Sequence, residues 1–287
     1  NNFQPSFVFH LAAQSLVRKS YNDPIDTINT NTIGTLNVLE SLRSIKKKCT
    51  VILITSDKVY KNLEIDKGYV EDDILGGKDP YSASKAAAEK IIYSYINSYF
   101  HKNQNKISLC VARAGNVIGG GDWSNDRIVP DCIKSWSENK VAKIRNPNST
   151  RPWQHVLEAV GGYLILAAKL YNNKKLHAEV FNFGPSNKNN FKVKNLIQSM
   201  KDHWTGIRWI KTKEKKKKLF ESNLLKLNSN KANKLIKWRS ILKFQETTKL
   251  VATWYTSYYN QKSNIKKTSL EQINHFEKLL KERLKIR

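Results

Sequence analysis

Tyr81 and Lys85 stand four residues apart in Tyr81-Ser-Ala-Ser-Lys85, a spacing that puts both on one face of a helix. There an ammonium can favour the phenolate and lower a tyrosine from its usual pKa of about 10. A phenolate so poised can take the proton of an alcohol whose carbon gives up a hydride. Such pairs are also frequent on solvated helices, so the spacing alone does not choose between chemistry and surface. Ser56-Asp57-Lys58 adds the second half. These polar groups are released at the end of the apolar run Val51-Ile-Leu-Ile-Thr55, where ligands sit in doubly wound sheets. The serine can hydrogen-bond a substrate hydroxyl, and the aspartate and lysine add an acid and a base that simple alcohol oxidation does not need. A surface ion pair after a strand is the plain alternative.

Elements that hold these groups can be read from the pattern. Short apolar runs at 7–11, 51–55, 107–112 and 180–183 have the character of strands buried on both faces of a parallel sheet. Helical patterns lie between them. One spans 25–45 with Leu36, Leu39 and Leu42 on its apolar side, and another starts after Asp79-Pro80, a good N-cap and first-turn pair. The alternation predicts an α/β fold with a doubly wound parallel sheet. After Arg113 the chain turns to polar loops and helices at about 128–136, 156–170, 194–204, 231–238 and 247–259. Leu270, Ile273, Phe276, Leu280 and Leu284 then recur at helical spacing on a charged tail, as expected of a docking helix. The expected organisation is a nucleotide-binding unit over 1–125, a substrate domain over 126–264 interleaved with the sheet around 180–184, and an amphipathic helix over 265–287.

The chain of 287 residues is 40% hydrophobic and has no apolar run near membrane-spanning length. No signal peptide or lipidation signal is visible, so the cytoplasm is the expected location and no membrane partner is expected. Cys49, Cys110 and Cys132 have no metal-type spacing, and reduced thiols are expected. No metal site is predicted. The formal charge of +26 raises the question of a nucleic-acid partner. The lysines are nevertheless spread along the chain, and the dense run Lys211–Lys218 has no interleaved aromatics. A solvated loop is the preferred reading, and the field would also draw in an anionic small molecule.

Six stretches together resemble the extended short-chain dehydrogenase/reductases, and among them the nucleotide-sugar 4,6-dehydratases. They are His10-Leu-Ala-Ala-Gln-Ser15, Thr30-Asn-Thr-Ile-Gly-Thr35, Thr55-Ser-Asp-Lys58, Asp79-Pro-Tyr-Ser-Ala-Ser-Lys85, Arg113-Ala-Gly-Asn-Val-Ile-Gly-Gly-Gly-Asp-Trp123 and Arg151-Pro-Trp-Gln-His155. The last two are similar to the CDP-glucose branch of that group. The resemblance implies a Rossmann-type sheet, NAD as cofactor, CDP-glucose as substrate, a homodimer, and dehydration to a 4-keto-6-deoxy sugar by internal hydride transfer. It implies that Tyr81 is the base, that Lys85 bonds the nicotinamide ribose, and that Ser56 bonds the reacting hydroxyl. Asp57 and Lys58 then fall where elimination needs an acid and a base. Lys58 acts either as the neutral base or as a cation that stabilises the enolate, and the sequence leaves both open. By the same resemblance Leu11, Ala12, Ala13 and Thr30 line the cofactor, while Ser15, Asn116, Arg127 and Arg151 hold the substrate. Each arginine has a surface salt bridge as its alternative, and Trp123, Trp153 and Trp204 are read as core.

In the resembled family a glycine-rich pyrophosphate turn lies upstream of the His10–Ala13 segment. No such turn precedes it here, and Gly119-Gly-Gly121 opens no helix of the right kind. The expectation is a fragment or truncated copy of a longer chain, which alone binds NAD weakly and folds poorly. The competing readings are another sugar-nucleotide enzyme such as an epimerase, and an inactive basic remnant.

Overall fold

The computed structural model describes residues 3–101, 106–185, 190–212, 224–260 and 264–284. Its first half runs β1 (Phe7–His10), α1 (Val17–Asn22), α2 (Pro24–Ile28), α3 (Gly34–Arg43), β2 (Cys49–Ile54), α4 (Pro80–Ser98) and β3 (Ile107–Ala114). There follow β4 (Val117–Ile118), α5 (Ile128–Ser137), β5 (Ala142–Ile144), β6 (Thr150–Arg151), β7 (Gln154–His155), α6 (Val156–Asn172) and β8 (Val180–Phe183). The chain closes with β9 (Phe191–Lys192), α7 (Val193–Met200), β10 (Trp209–Lys211), α8 (Asn230–Ile236), α9 (Phe244–Tyr259) and α10 (Ile265–Leu284).

The main sheet has the order β1-β2-β3-β8, and every pairing is parallel. All eight residues of β3 are buried, because helices cover both faces. On one face Leu39 and Leu42 of α3 and Ile92 of α4 pack on Val51, Leu53, Leu109 and Val111. On the other, Tyr163, Leu166 and Leu170 of α6 and Ile236 of α8 pack on Ile52, Cys110, Phe181 and Phe183. Alternate residues of β2 and β3 thus serve opposite cores, the strand period that makes an unbroken apolar run necessary. The expected doubly wound parallel α/β sheet is present. β1 departs from the reading of a fully buried strand: it borders only β2 among the described strands, and Phe7 is exposed.

A further core joins Val129, Ile133 and Trp136 of α5, Leu196 and Ile197 of α7, and Val251 and Tyr255 of α9. α10 docks through Phe276, which is buried with Ile241, Leu242 and Leu250, and Leu280 and Leu284 pack there too. Leu270 and Ile273 of that helix stay exposed. The run Lys211–Lys218 lies mostly outside the described residues.

The single helix expected over 25–45 is instead α2 and α3 joined by a π-helical turn, Asn29–Ile33. A π-turn re-aims a side chain by one extra residue. Here it turns Asn31 inward, where Nδ2 donates to the Gln14 carbonyl and to Ser84 Oγ of α4, both at 2.9 Å. Its Oδ1 accepts from the Gln14 amide at 2.8 Å. The turn therefore ties the loop after β1 to the helix that bears Tyr81 and Lys85. α4 begins where the sequence predicts, with Asp79 accepting from the Ser82 amide at 2.9 Å and Pro80 in the first turn.

Candidate active site

β2 ends at Ile54, and the chain leaves the sheet through Thr55 into a short 3₁₀ turn, Asp57–Val59, capped by Ser56. Ser56 Oγ accepts from the Lys58 amide at 3.2 Å and donates to Asp57 Oδ1 at 3.1 Å. Asp57 is almost fully buried, and Lys58 Nζ lies 3.9 Å from its Oδ1. Tyr81 shares a hydrogen bond with Ser56. The four groups Ser56, Asp57, Lys58 and Tyr81 therefore meet at the carboxyl end of the sheet, where an α/β fold opens to ligands.

Burial pushes the Tyr81 phenol up to about 12, against the Ser56 hydrogen bond; nearby Asp57 also raises it, and Arg127 opposes this. The lowered tyrosine expected from the Lys85 spacing is not present. Lys85 is itself desolvated, and burial pushes its ammonium down to about 8, with Glu89 pulling the other way. Lys85 is buried and makes no hydrogen bond or ion pair with a described residue. A buried ammonium in want of acceptors fits the hydroxyls of a ribose, and Lys85 with Tyr81 would hold that half of a nicotinamide nucleotide.

Glu89 continues the helical face of Tyr81 and Lys85 by one more step of four. It accepts from Thr55 Oγ1 at 2.6 Å and from Arg113 Nε at 2.8 Å, and it pairs with Arg113 Nη2. Arg113 also donates to Tyr60 Oη at 2.7 Å, which donates to Asn182 on β8 at 2.7 Å. This buried network braces three strands and α4 behind the site. The repeat 81, 85, 89 was its signal in the sequence.

Asn116 has a left-handed backbone, φ 52°, and its Nδ2 donates to Asp57 Oδ2 at 3.2 Å. Gln154 clamps this corner: its amide donates to the Asn116 carbonyl, and its Nε2 to the carbonyls of Gly115 and Phe183. Arg127 donates to Asp122 at 3.0 Å and to Ser15 Oγ at 2.6 Å, so these two expected substrate contacts meet each other. Arg151 is buried in β6 and donates to the Thr150 carbonyl at 2.8 Å. Leu11 and Ala12 are exposed and Ala13 is half-buried, on the loop beyond β1. Thr30 is exposed, and its hydroxyl donates to Asp26 at 3.5 Å. The π-turn directs Asn31 inward to Gln14 and Ser84 and leaves Thr30 at the surface. His10, half-buried, contacts Thr35 Oγ1 at 3.2 Å.

Gly119, Gly120 and Gly121 serve packing. A methyl at Gly120 would fall 2.0 Å from the Trp254 ring, one at Gly119 would crowd Val156, and Gly121 has φ 80°. Trp153 is core, as expected. Trp123 remains about one-third exposed within a cluster that includes Trp254, Tyr255 and Tyr258.

The parallel sheet thus carries Ser56 and Asp57 at its carboxyl end, with Tyr81 and Lys85 of α4 buried beside them. The chain belongs to the GDP-mannose 4,6 dehydratase family, whose model matches residues 1–251. It is 40% identical over 260 residues to a CDP-glucose 4,6-dehydratase of Salmonella typhimurium, covering 89% of this chain and 72% of that protein. It is 30% identical over 173 residues to a dTDP-D-glucose 4,6-dehydratase of Dictyostelium discoideum, covering 56% of this chain and 38% of that one. Among solved structures, RMD from Pseudomonas aeruginosa complexed with NADPH superposes with a TM-score of 0.74 at 20% identity, over 90% of this chain and 83% of that one. That likeness carries the fold. No helix among the described residues is long and apolar enough to cross a membrane.

Proposed function

We propose that this chain dehydrates CDP-glucose to CDP-4-keto-6-deoxyglucose with NAD as a returning hydride carrier. The observation that carries the reading is the buried Asp57, with Lys58, beside the Ser56 and Tyr81 pair, in a chain 40% identical to a CDP-glucose 4,6-dehydratase. An epimerase needs no acid and base at that place, so this pair weighs against the epimerase reading. NAD, when bound, supplies the acceptor that takes hydride from sugar C4 and gives it back at C6, so no net redox change results.

The residues account for the protons. Tyr81, as its phenolate, takes the proton of the C4 hydroxyl while Ser56 holds that oxygen, leaving a ketone. Burial disfavours the phenolate, and the positive charge of an oxidised nicotinamide would favour it. The C5 proton, made acidic by that ketone, then passes to neutral Lys58 or, where Lys58 is the cation, to water. Asp57 gives a proton to the C6 hydroxyl, which leaves as water as the C5–C6 double bond forms. Lys58 stands beside Asp57, as base for C5 or as the cation that steadies the enolate. Return of hydride at C6 and of a proton at C5, with the proton gained by Tyr81 passing back to Asp57, completes a net loss of one water.

The nucleotide sugar would lie between the carboxyl end of the sheet and the unit over 126–264, with Ser15, Arg127 and Arg151 on its side. Arginine suits a diphosphate because its planar fork donates two parallel hydrogen bonds. We read the assembly as a homodimer, for which the exposed Tyr93 and Tyr99 at the end of α4 offer apolar area. Three buried free thiols suit a reducing compartment, so we place the reaction in the cytoplasm.

Incubation with CDP-glucose and NAD, followed by NMR of the sugar, tests the reading. The expected product is the 4-keto-6-deoxy sugar with no steady growth of NADH. NADH accumulating with an acid or ketose product, or recovery of a 4-epimer, would overturn it.

A further inference from the structure

Asp57 is held in a niche that two neighbouring residues of another strand create. β3 ends at Ala114, and Gly115 and Asn116 follow. At Gly115 the backbone runs against the Asp57 carboxylate: a methyl there would fall 2.0 Å from Asp57 Cγ and 2.5 Å from Oδ1. No real Cβ approaches so closely, so the absent side chain is what leaves room for the carboxylate in this rotamer. Asn116 then bonds the far oxygen, Nδ2 to Oδ2 at 3.2 Å. Ser56 Oγ holds the near oxygen, Oδ1, at 3.1 Å. The niche is itself fixed, since Gln154 is buried and bonds the carbonyls of both Gly115 and Asn116. Asn116 adopts its left-handed backbone, a conformation asparagine tolerates better than most residues.

Resting on the functional reading above, we infer that Asn116 is a positioning residue for the elimination acid, and that its amide and the bare Gly115 together set the direction of Asp57. Asn116 acts on the carboxylate and not on the diphosphate of the substrate. Its loss therefore slows departure of the C6 hydroxyl, whereas oxidation at C4, which uses Tyr81 and Ser56, proceeds.

Two variants test this from opposite sides. Asn116→Gly keeps the left-handed backbone and removes the amide. Gly115→Ala keeps the amide and forces the carboxylate to rotate. Each full-length variant is checked for folding by circular dichroism, titrated with CDP by calorimetry, and followed through one turnover of CDP-glucose by rapid quench. The expected result for both is CDP affinity within about twofold of the parent and elimination slower by on the order of 10²-fold, the scale of a misplaced catalytic group. A 4-keto sugar still carrying its C6 hydroxyl should accumulate. If Asn116→Gly weakens CDP binding about tenfold while elimination keeps its rate, Asn116 holds the diphosphate and the inference fails. It fails equally if Gly115→Ala eliminates at the parental rate. A parent protein that forms no 4-keto sugar refutes the functional reading and with it the elimination role of Asn116, whereas a parent that forms it while both variants keep its rate refutes the inference alone.

Discussion

Lys85→Met should make this protein more stable at neutral pH while abolishing its proposed chemistry. Lys85 is a buried ammonium with no partner among the described residues, and burial moves it from 10.5 in the unfolded chain down to about 8. A base depressed in the native state is stable there only when neutral. Its stability contribution is complete above 10.5 and is lost as pH falls through 8. At pH 7 native and unfolded chains both carry the proton, so the whole penalty applies. A gap of about two and a half pH units corresponds to about 3 kcal/mol. Methionine keeps a long unbranched stem in the same space and removes the charge. Urea unfolding of both proteins across neutral to alkaline pH should show the variant ahead by up to about 3 kcal/mol at pH 7. The advantage should shrink steadily between pH 8 and 10.5, because only the parent gains stability as Lys85 deprotonates. A variant less stable than the parent at pH 7, or a difference that does not change with pH, would refute the claim that Lys85 is held against its solvation. Retained turnover in the variant would separately remove Lys85 from the mechanism.

Tyr81→Phe should lower turnover by about 10²–10⁴, the usual worth of a general base, while CDP binds as before; near-normal turnover would exclude Tyr81 as the base. Gly120→Ala should cost about 1–3 kcal/mol in urea unfolding, since its methyl meets the Trp254 ring at 2.0 Å. A neutral result would show that the aromatic cluster around Trp123 and Trp254 can shift.

Much of this architecture was legible because it rests on period and local chemistry. The largely apolar runs of β2, β3 and β8 admit few alternatives to a sheet buried on both faces, and Asp79-Pro80 marks the start of α4 whatever its surroundings. What could not be read depends on contacts across the chain. The π-turn at Asn29–Ile33 arises because Asn31 has partners on Gln14 and Ser84, residues remote in sequence. A helical period carried through 25–45 gives no sign of this break, which leaves Thr30 exposed and bonded to Asp26. The motif of Asn116 points to the substrate, and the bond of its amide to Asp57 is a contact that the motif alone does not reveal. The charge state of the Tyr81 and Lys85 pair was misjudged for a similar reason. Spacing reports that two groups share a face, but burial decides which ionic form either prefers, and burial pushes both toward neutrality.

That shared push makes the two buried carboxylates of the site unequal. Glu89 follows Tyr81 and Lys85 on the same helical face, and an uncommitted carboxylate there would draw the Lys85 ammonium down the helix. Both Glu89 oxygens are instead engaged by Arg113, and Oε1 also accepts from Thr55. Breaking such a buried pair typically costs about 3–5 kcal/mol, so Arg113 does not readily release Glu89. Asp57 meets only the neutral donors Ser56 and Asn116 and a lysine at 3.9 Å. Of the two, only Asp57 lacks a guanidinium clamp, so its carboxyl is the one that can serve a substrate oxygen. The arginine behind the sheet thus serves the front of it, by keeping Lys85 available for a ligand and leaving acid chemistry to one residue.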